Sequence, residues 1–176
     1  MNEKYSIEVV ILAGGLSSRM GKEKAQIRLG RRTLLGHARL LASTLGLPFR
    51  VLRVDRLPGH GPLGGIETAL GGAKAERVLF LSCDMPFLQR DLVERLLAVP
   101  APAVFATVHG NVGFPFCLAL EILPKVEAQL AAGQLSLQAF ARKIRARRLR
   151  VPKADWPQLD NLNTPAELAA ARARLH

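Results

Sequence analysis

The stretch Ile11-Leu-Ala-Gly-Gly-Leu-Ser-Ser-Arg-Met-Gly-Lys-Glu-Lys-Ala25 decides how this chain is read. An apolar run, Glu8-Val-Val-Ile-Leu-Ala13, ends abruptly at Gly14-Gly15. A small polar loop follows and carries Arg19, Lys22 and Lys24. A buried strand that delivers glycines lets backbone N–H groups approach an anion closely. Nearby cations then neutralise charge that the amides alone leave uncovered. The spacing is neither of the common phosphate motifs. A Walker loop requires Gly-x-x-x-x-Gly-Lys-Ser/Thr, whereas Lys22 is followed by Glu23. A dinucleotide fingerprint requires Gly-x-Gly-x-x-Gly, which does not occur. A plain strand-to-helix turn with solvated basic residues is the alternative reading.

Outward from this stretch, apolar runs and amphipathic stretches alternate, the pattern of an α/β protein. Strands are expected over residues 9–13, 50–54, 77–83, 103–108 and 116–120, with an edge strand over 148–151. Helices are expected over 33–45, from the 58–65 loop to about 73, and over 91–99, 121–132, 136–144 and 165–175. Thr164, Pro165 and Glu167 supply N-cap, N1 and N3 of the last helix. The run from Val78 to Leu81 is continuously apolar, as in a central strand covered on both faces.

Three further features carry chemistry. Asp84 follows that central strand, at the carboxyl edge where open α/β sheets bind ligands. It reads as a Mg²⁺ ligand, since Mg²⁺ takes one or two protein carboxylates plus phosphates and water. Capping the next helix is its structural alternative. Asn161 and Asn163 stand two apart before the last helix, which in an extended segment puts both amides on one side. They could hold a metal water, a phosphate or a sugar, or simply belong to a capped loop. Gly61-Pro-Leu-Gly64-Gly65 allows close approach of a bulky group and opens a helix with free amides.

The bulk properties set limits. With 176 residues the chain is long enough for one full core, and residues 1–176 are read as a single domain. No apolar stretch nears the roughly 20 residues of a membrane span. Met1 to Ser6 lacks the apolar segment of a signal peptide, so a cytoplasmic location is expected. Cys83 and Cys117 lie in apolar runs and read as buried free thiols. The four histidines show no paired ligand spacing. The net charge of +11, from 25 basic and 14 acidic residues, favours anionic partners such as nucleotides or phosphorylated metabolites. Much of the excess falls between Arg142 and Lys153, read as a solvated basic face rather than a nucleic-acid patch, because one Trp and one Tyr make a poor stacking platform.

Together the motifs Leu12-Ala-Gly-Gly-x-Ser-x-Arg-Met-Gly-x-x-Lys24, Gly61-Pro-Leu-Gly-Gly65, Cys83-Asp-Met-Pro86 and Asn161-x-Asn-Thr-Pro165 resemble the MobA family of molybdenum cofactor guanylyltransferases. The resemblance spans nearly the whole chain. The first motif is shared with the wider nucleotidyltransferase superfamily and specifies reaction type better than substrate; the Asn161-x-Asn163 form is more discriminating. The resemblance implies a three-layer Rossmann-like nucleotidyltransferase fold with a mostly parallel central sheet and helices on both faces. It implies transfer of GMP from GTP to the phosphate of molybdopterin, or its molybdenum-loaded form, with release of pyrophosphate. By the same resemblance Leu12, Ala13, Gly14, Gly15, Lys24, Asp55, Gly64 and Asp84 bind the nucleotide. Arg19, Lys24 and Asp84 serve catalysis, and Asp84 holds Mg²⁺. Molybdoenzyme acceptors or proteins of the cofactor pathway are the implied partners.

The chain departs from the family at three points. Between residues 45 and 54 it offers one strand where relatives usually have a strand, a helix and another strand, so a base-contacting Asn has no counterpart. Glu23 replaces the more frequent Asp, and Phe114-Pro115 stands where a His-Pro pair is common. The first departure keeps alternatives open: CTP with molybdopterin, a sugar-phosphate acceptor, or a basic binding module without chemistry.

Overall fold

The computed structural model describes residues 6–13, 24–53 and 59–175. Gly14, Gly15, Arg19, Lys22 and Asp55 of the expected site therefore lie outside the described residues. In chain order the elements are β1 (Ile7–Leu12), β2 (Arg28–Leu29), β3 (Arg32–Thr33), α1 (Leu34–Thr44), β4 (Phe49–Leu52), α2 (Gly61–Gly71) and β5 (Arg77–Ser82). There follow α3 (Arg90–Leu97), β6 (Ala103–Val108), β7 (Asn111–Ala119), α4 (Leu123–Ala131), α5 (Leu137–Lys143), β8 (Arg147–Arg150) and α6 (Pro165–Ala173). Short 3₁₀ turns cover Lys24–Gln26, Leu120–Ile122 and Lys153–Leu159.

Six strands form one sheet in the order β4-β1-β5-β7-β6-β8, and β2 and β3 form a separate small hairpin. The pairs β1–β4, β1–β5 and β6–β8 are parallel. Among the described strands of this sheet only β7 runs against its neighbours. The carboxyl ends of β1, β4, β5, β6 and β8 thus share one edge of the sheet.

Alternation along β1 and β5 divides the core between the two faces. Val9, Ile11, Leu79 and Leu81 pack with α1 and α3 through Leu35, Ala38, Leu92 and Leu96. Val10, Val78 and Phe80 pack on the other face with α2, α4 and α5 through Leu63, Ile66, Val126 and Phe140. On this second face Phe116 of β7 stacks on Phe80 and Phe105 of the strands beside it, with ring centroids 4.8 and 4.7 Å apart. Each such pair adds about 0.5–1.5 kcal/mol beyond area burial.

A third, smaller core matters most for the site. Ile27, Leu29, Leu34, Leu162, Leu168 and Ala171 cluster together, with Phe87 packed against them. This cluster joins the β2–β3 hairpin, the loop after β5, the segment before α6 and α6 itself. It fastens three regions, distant in sequence, at the sheet's carboxyl edge. Leu29 is fully buried and Leu162 nearly so; truncating either to Ala costs about 2–5 kcal/mol by loss of transfer energy and cavity formation.

Three strands, β7 and the pair β2 and β3, differ from expectation. β7 begins at Asn111, five residues before the expected 116. Gly113 and Pro115 disguise its first half, since both weaken a central strand. They are tolerated because the register with β6 shifts there, from Phe105↔Phe116 to Ala106↔Gly113, and the recorded pairing with β5 extends only from Phe116 onward. The β2–β3 hairpin was not anticipated either. Its strands have two residues each, too short for any period, and Gly30 turns it at φ +61°.

Candidate active site

The site forms where the chain leaves β1 and β5. Cys83 N–H donates to the Leu12 carbonyl at 3.3 Å and Ala13 N–H to the Leu52 carbonyl at 2.8 Å, so the ends of β1, β4 and β5 stay zipped together. Beyond them, Lys24 Nζ donates to Asp84 Oδ2 at 2.6 Å and also to Asn163 Oδ1. Three motifs separated by 60 and 139 positions thereby converge on one ammonium group. Lys24 and Asp84 side chains are only 17% and 15% exposed, so their charges interact with little screening by water.

Each member is held by a neighbour. The Ser82 hydroxyl donates to Asp84 Oδ1, which leaves Oδ2 facing Lys24. The Asp84 carbonyl accepts from Leu162 N–H at 2.9 Å, which ties the segment before α6 to the end of β5. Asn163 is fixed from the other side. Its backbone N–H donates to Glu167 Oε2 at 2.7 Å, and Thr164 N–H donates to the same oxygen at 2.8 Å. Thr164 Oγ1 accepts from Glu167 N–H, completing a capping box. The Asn163 amide is the leading cause that holds the Glu167 carboxyl below its ordinary value. Loss of hydration opposes it, while the Thr164 hydroxyl, the Thr164 amide and the Lys24 charge act in the same direction.

The capping alternative for Asp84 does not hold. α3 begins six residues later at Arg90, with Gln89 at the N-cap and no side-chain cap bond. Asp84 instead spends both oxygens on Ser82 and Lys24. The two asparagines also part company. Asn163 enters the cluster, whereas Asn161 is exposed and makes no side-chain hydrogen bond among the described residues. The intervening Leu162, only 2% exposed, anchors the segment. Leu12 and Ala13 end β1 at this edge. Gly64 lies buried in the first turn of α2, whose N-terminus opens at the same edge because the helix returns the chain from β4 to β5.

Sequence reasoning missed Ser82 and the reach of Glu167. A terminal strand serine two residues before an aspartate carries no motif of its own. Glu167 was legible as N3 of a helix, but its bond to Asn163 depends on the turn that precedes the cap.

The oxygen set suits a hard divalent cation. Asp84 Oδ2 and Asn163 Oδ1 both point at one position, filled here by a cationic nitrogen. One carboxylate with an amide oxygen is the sparse protein ligation that Mg²⁺ accepts when phosphates and water complete its shell.

Comparison with known proteins gives the family of the chain. Over 106 aligned positions, covering 53% of this chain and 53% of the relative, it is 42% identical to a probable molybdenum cofactor guanylyltransferase of Carboxydothermus hydrogenoformans. The molybdenum cofactor guanylyltransferase of Rhodobacter capsulatus is 35% identical over 186 aligned positions, covering 94% of this chain and 95% of the relative. The crystal structure of molybdopterin-guanine dinucleotide biosynthesis protein A from Archaeoglobus fulgidus superposes with a TM-score of 0.72 over 96% of this chain and 98% of that one, at 20% identity, which establishes the shared fold. Residues 9–52 and 38–151 match the MobA-like NTP transferase domain, and the chain belongs to that family of nucleotidyltransferases.

Proposed function

We propose that this nucleotidyltransferase moves GMP from GTP to the terminal phosphate of molybdopterin, in its free or molybdenum-loaded form, and releases pyrophosphate. The observation that carries this reading is the convergence of Lys24, Asp84 and Asn163 at the carboxyl edge of β1 and β5. The guanylyl and pterin parts rest on the relatives, whose names specify molybdenum cofactor guanylylation.

The reaction asks little of the protein in acid–base terms. A phosphate oxygen is already ionised at neutral pH and attacks without a general base. What remains is to hold two anions in line and to offset charge as it develops at the α-phosphorus. Lys24 brings an ammonium to this edge, where it would pair with a phosphate in place of Asp84 and Asn163. Asp84 and Asn163 would hold Mg²⁺, which when bound supplies charge neutralisation to the phosphates. Ser82 and the capping box keep those two oxygens aimed. Leu12, Ala13 and Gly64 are assigned to the nucleotide, and the glycine loop, Arg19 and Asp55 complete the set. The net charge of +11 reduces repulsion between the two anionic substrates as they meet.

A cytoplasmic location accords with Cys83 and Cys117, both buried as small hydrophobes. No helix among the described residues is long and apolar enough to cross a membrane.

The test is pyrophosphate release with molybdopterin, Mg²⁺ and each of GTP and CTP. Release with GTP and not CTP supports guanylyl transfer. Release with CTP alone transfers the assignment to cytidylyl chemistry, the outcome favoured if β4, the one strand among the described residues between α1 and α2, leaves guanine unread.

A further inference from the structure

Far from the site, β8 is the last strand of the sheet and, among the described residues, pairs only with β6. Along its free edge lies an open groove of about 780 Å³, formed with α5 and the end of α3. Arg142, Arg145, Arg147, Arg148 and Arg150 line it, and among the described residues no acidic one does. All five are exposed. Among the described residues none pairs with a carboxylate; the one recorded side-chain bond runs from Arg148 Nη1 to the Gly110 carbonyl at 3.1 Å.

The backbone of β8 is half used. Val151 N–H donates to the Thr107 carbonyl at 3.0 Å, and Arg147 and Leu149 stand opposite Val104 and Ala106. In a parallel ladder, alternate residues turn both backbone groups toward the same neighbour. Arg147 and Leu149 therefore face β6, while Arg148 and Arg150 present their N–H and C=O groups to the open edge. Side chains alternate too. Leu149 packs with Val99 on the α1–α3 face, which sends Arg148 and Arg150 to the α5 face, beside Arg142 and Arg145.

Arg145 is the most telling of the five. It closes α5 at φ +52°, with Ala146 N–H on the Ala141 carbonyl and Arg145 N–H on the Arg142 carbonyl. That is a Schellman ending, whose left-handed residue is usually Gly. The chain places a bulky cation where glycine fits without strain.

We infer that this edge docks an acidic protein segment, which adds a strand beside β8. Its carboxylates would alternate with small apolar residues: acidic side chains toward Arg142, Arg145, Arg148 and Arg150, apolar ones toward Val99 and Leu149. Strand addition draws affinity from backbone bonds and specificity from alternate side chains. A second copy of this chain does not fit, because two arginine-lined edges repel. Among the described residues lining the groove there is no aromatic platform of the kind that favours single-stranded nucleic acid.

The probe is a labelled, end-blocked peptide of alternating Glu and Val, titrated by fluorescence anisotropy and by amide NMR of the full chain. The expected result is saturable binding, with the Arg148 and Arg150 amides newly protected from exchange. Arg145→Gly combined with Arg150→Ala weakens binding about tenfold or more. The melting temperature does not fall, because glycine suits the left-handed position. Arg148→Pro, which blocks an outward-facing N–H but is tolerated on an edge, abolishes binding beyond the loss seen with Arg148→Ala. The inference is overturned if the peptide fails to bind, if it binds without protecting those amides, or if a single-stranded oligonucleotide of equal charge binds more tightly with the same arginine dependence.

Discussion

Two basic regions of this molecule use charge in opposite ways. At the carboxyl edge of β1 and β5, one lysine is largely shielded and fixed by a carboxylate and an amide oxygen. Along β8, five arginines stand exposed with no carboxylate partner among the described residues. The first region commits a cation to one point; the second spreads a field over a surface. Catalysis of phosphate transfer needs the former, because a preoriented charge in a water-poor site lowers a barrier while a mobile, screened one mostly speeds encounter. Net charge alone would have directed attention to the wrong end of the sheet.

Substitution separates the two regions. Asp84→Ala removes the carboxylate from the Lys24–Asn163 cluster, and transfer is expected to fall about 10²–10³-fold, equivalent to about 3–4 kcal/mol of barrier. Circular dichroism should show the fold retained, since Asp84 caps no helix. Lys24→Ala is expected to cost about 10²-fold with weaker nucleotide binding, read as separate changes in kcat and KM. Activity near wild type in either variant would equate this cluster with an ordinary surface ion pair.

The support beneath Asn163 has a smaller, stability-level effect. Thr164→Ala is expected to cost about 1 kcal/mol through the lost cap, measured by denaturant unfolding. The Glu167 carboxyl adds a pH signature. Its folded pKa lies below the ordinary value of 4.5, chiefly through the Asn163 amide. The stabilisation is therefore complete above the unfolded pKa and disappears as pH falls through the lower folded one. The stability difference between wild type and Glu167→Gln should be present at pH 7 and close in acid below the usual glutamate range. At the other pole of the comparison, Arg147→Ala with Arg150→Ala is expected to leave transfer within about twofold, since surface changes away from special features have small effects.

Much of the frame was legible in the sequence because it depends on local periodicity. The apolar run of β5, the strand 103–108 and the Thr164–Glu167 cap were read where the structure has them. The first half of β7 was hidden because Gly113 and Pro115 signal against a strand, and only the neighbouring register shift makes room for them. Residues Lys24, Asp84 and Asn163 could be nominated singly from residue type and position. Their meeting could not, because it depends on the small core of Leu29, Leu34, Leu162 and Leu168, whose members come from four short segments with no shared period. The unequal fates of Asn161 and Asn163 follow from the same cause: Leu162 is buried between them and the backbone turns into the cap. Burial also accounts for Cys117, whose thiol is pushed up to about 11, as expected of a cysteine that serves as a core hydrophobe.

The most direct test is a crystal structure of the chain with Mg²⁺ and a non-hydrolysable GTP analogue. The account predicts the triphosphate against Lys24, with the ion on the Asp84 carboxylate and the Asn163 side chain beside it. A triphosphate bound along the β8 arginines, or anywhere that leaves the Lys24–Asp84–Asn163 cluster intact and untouched, would contradict it.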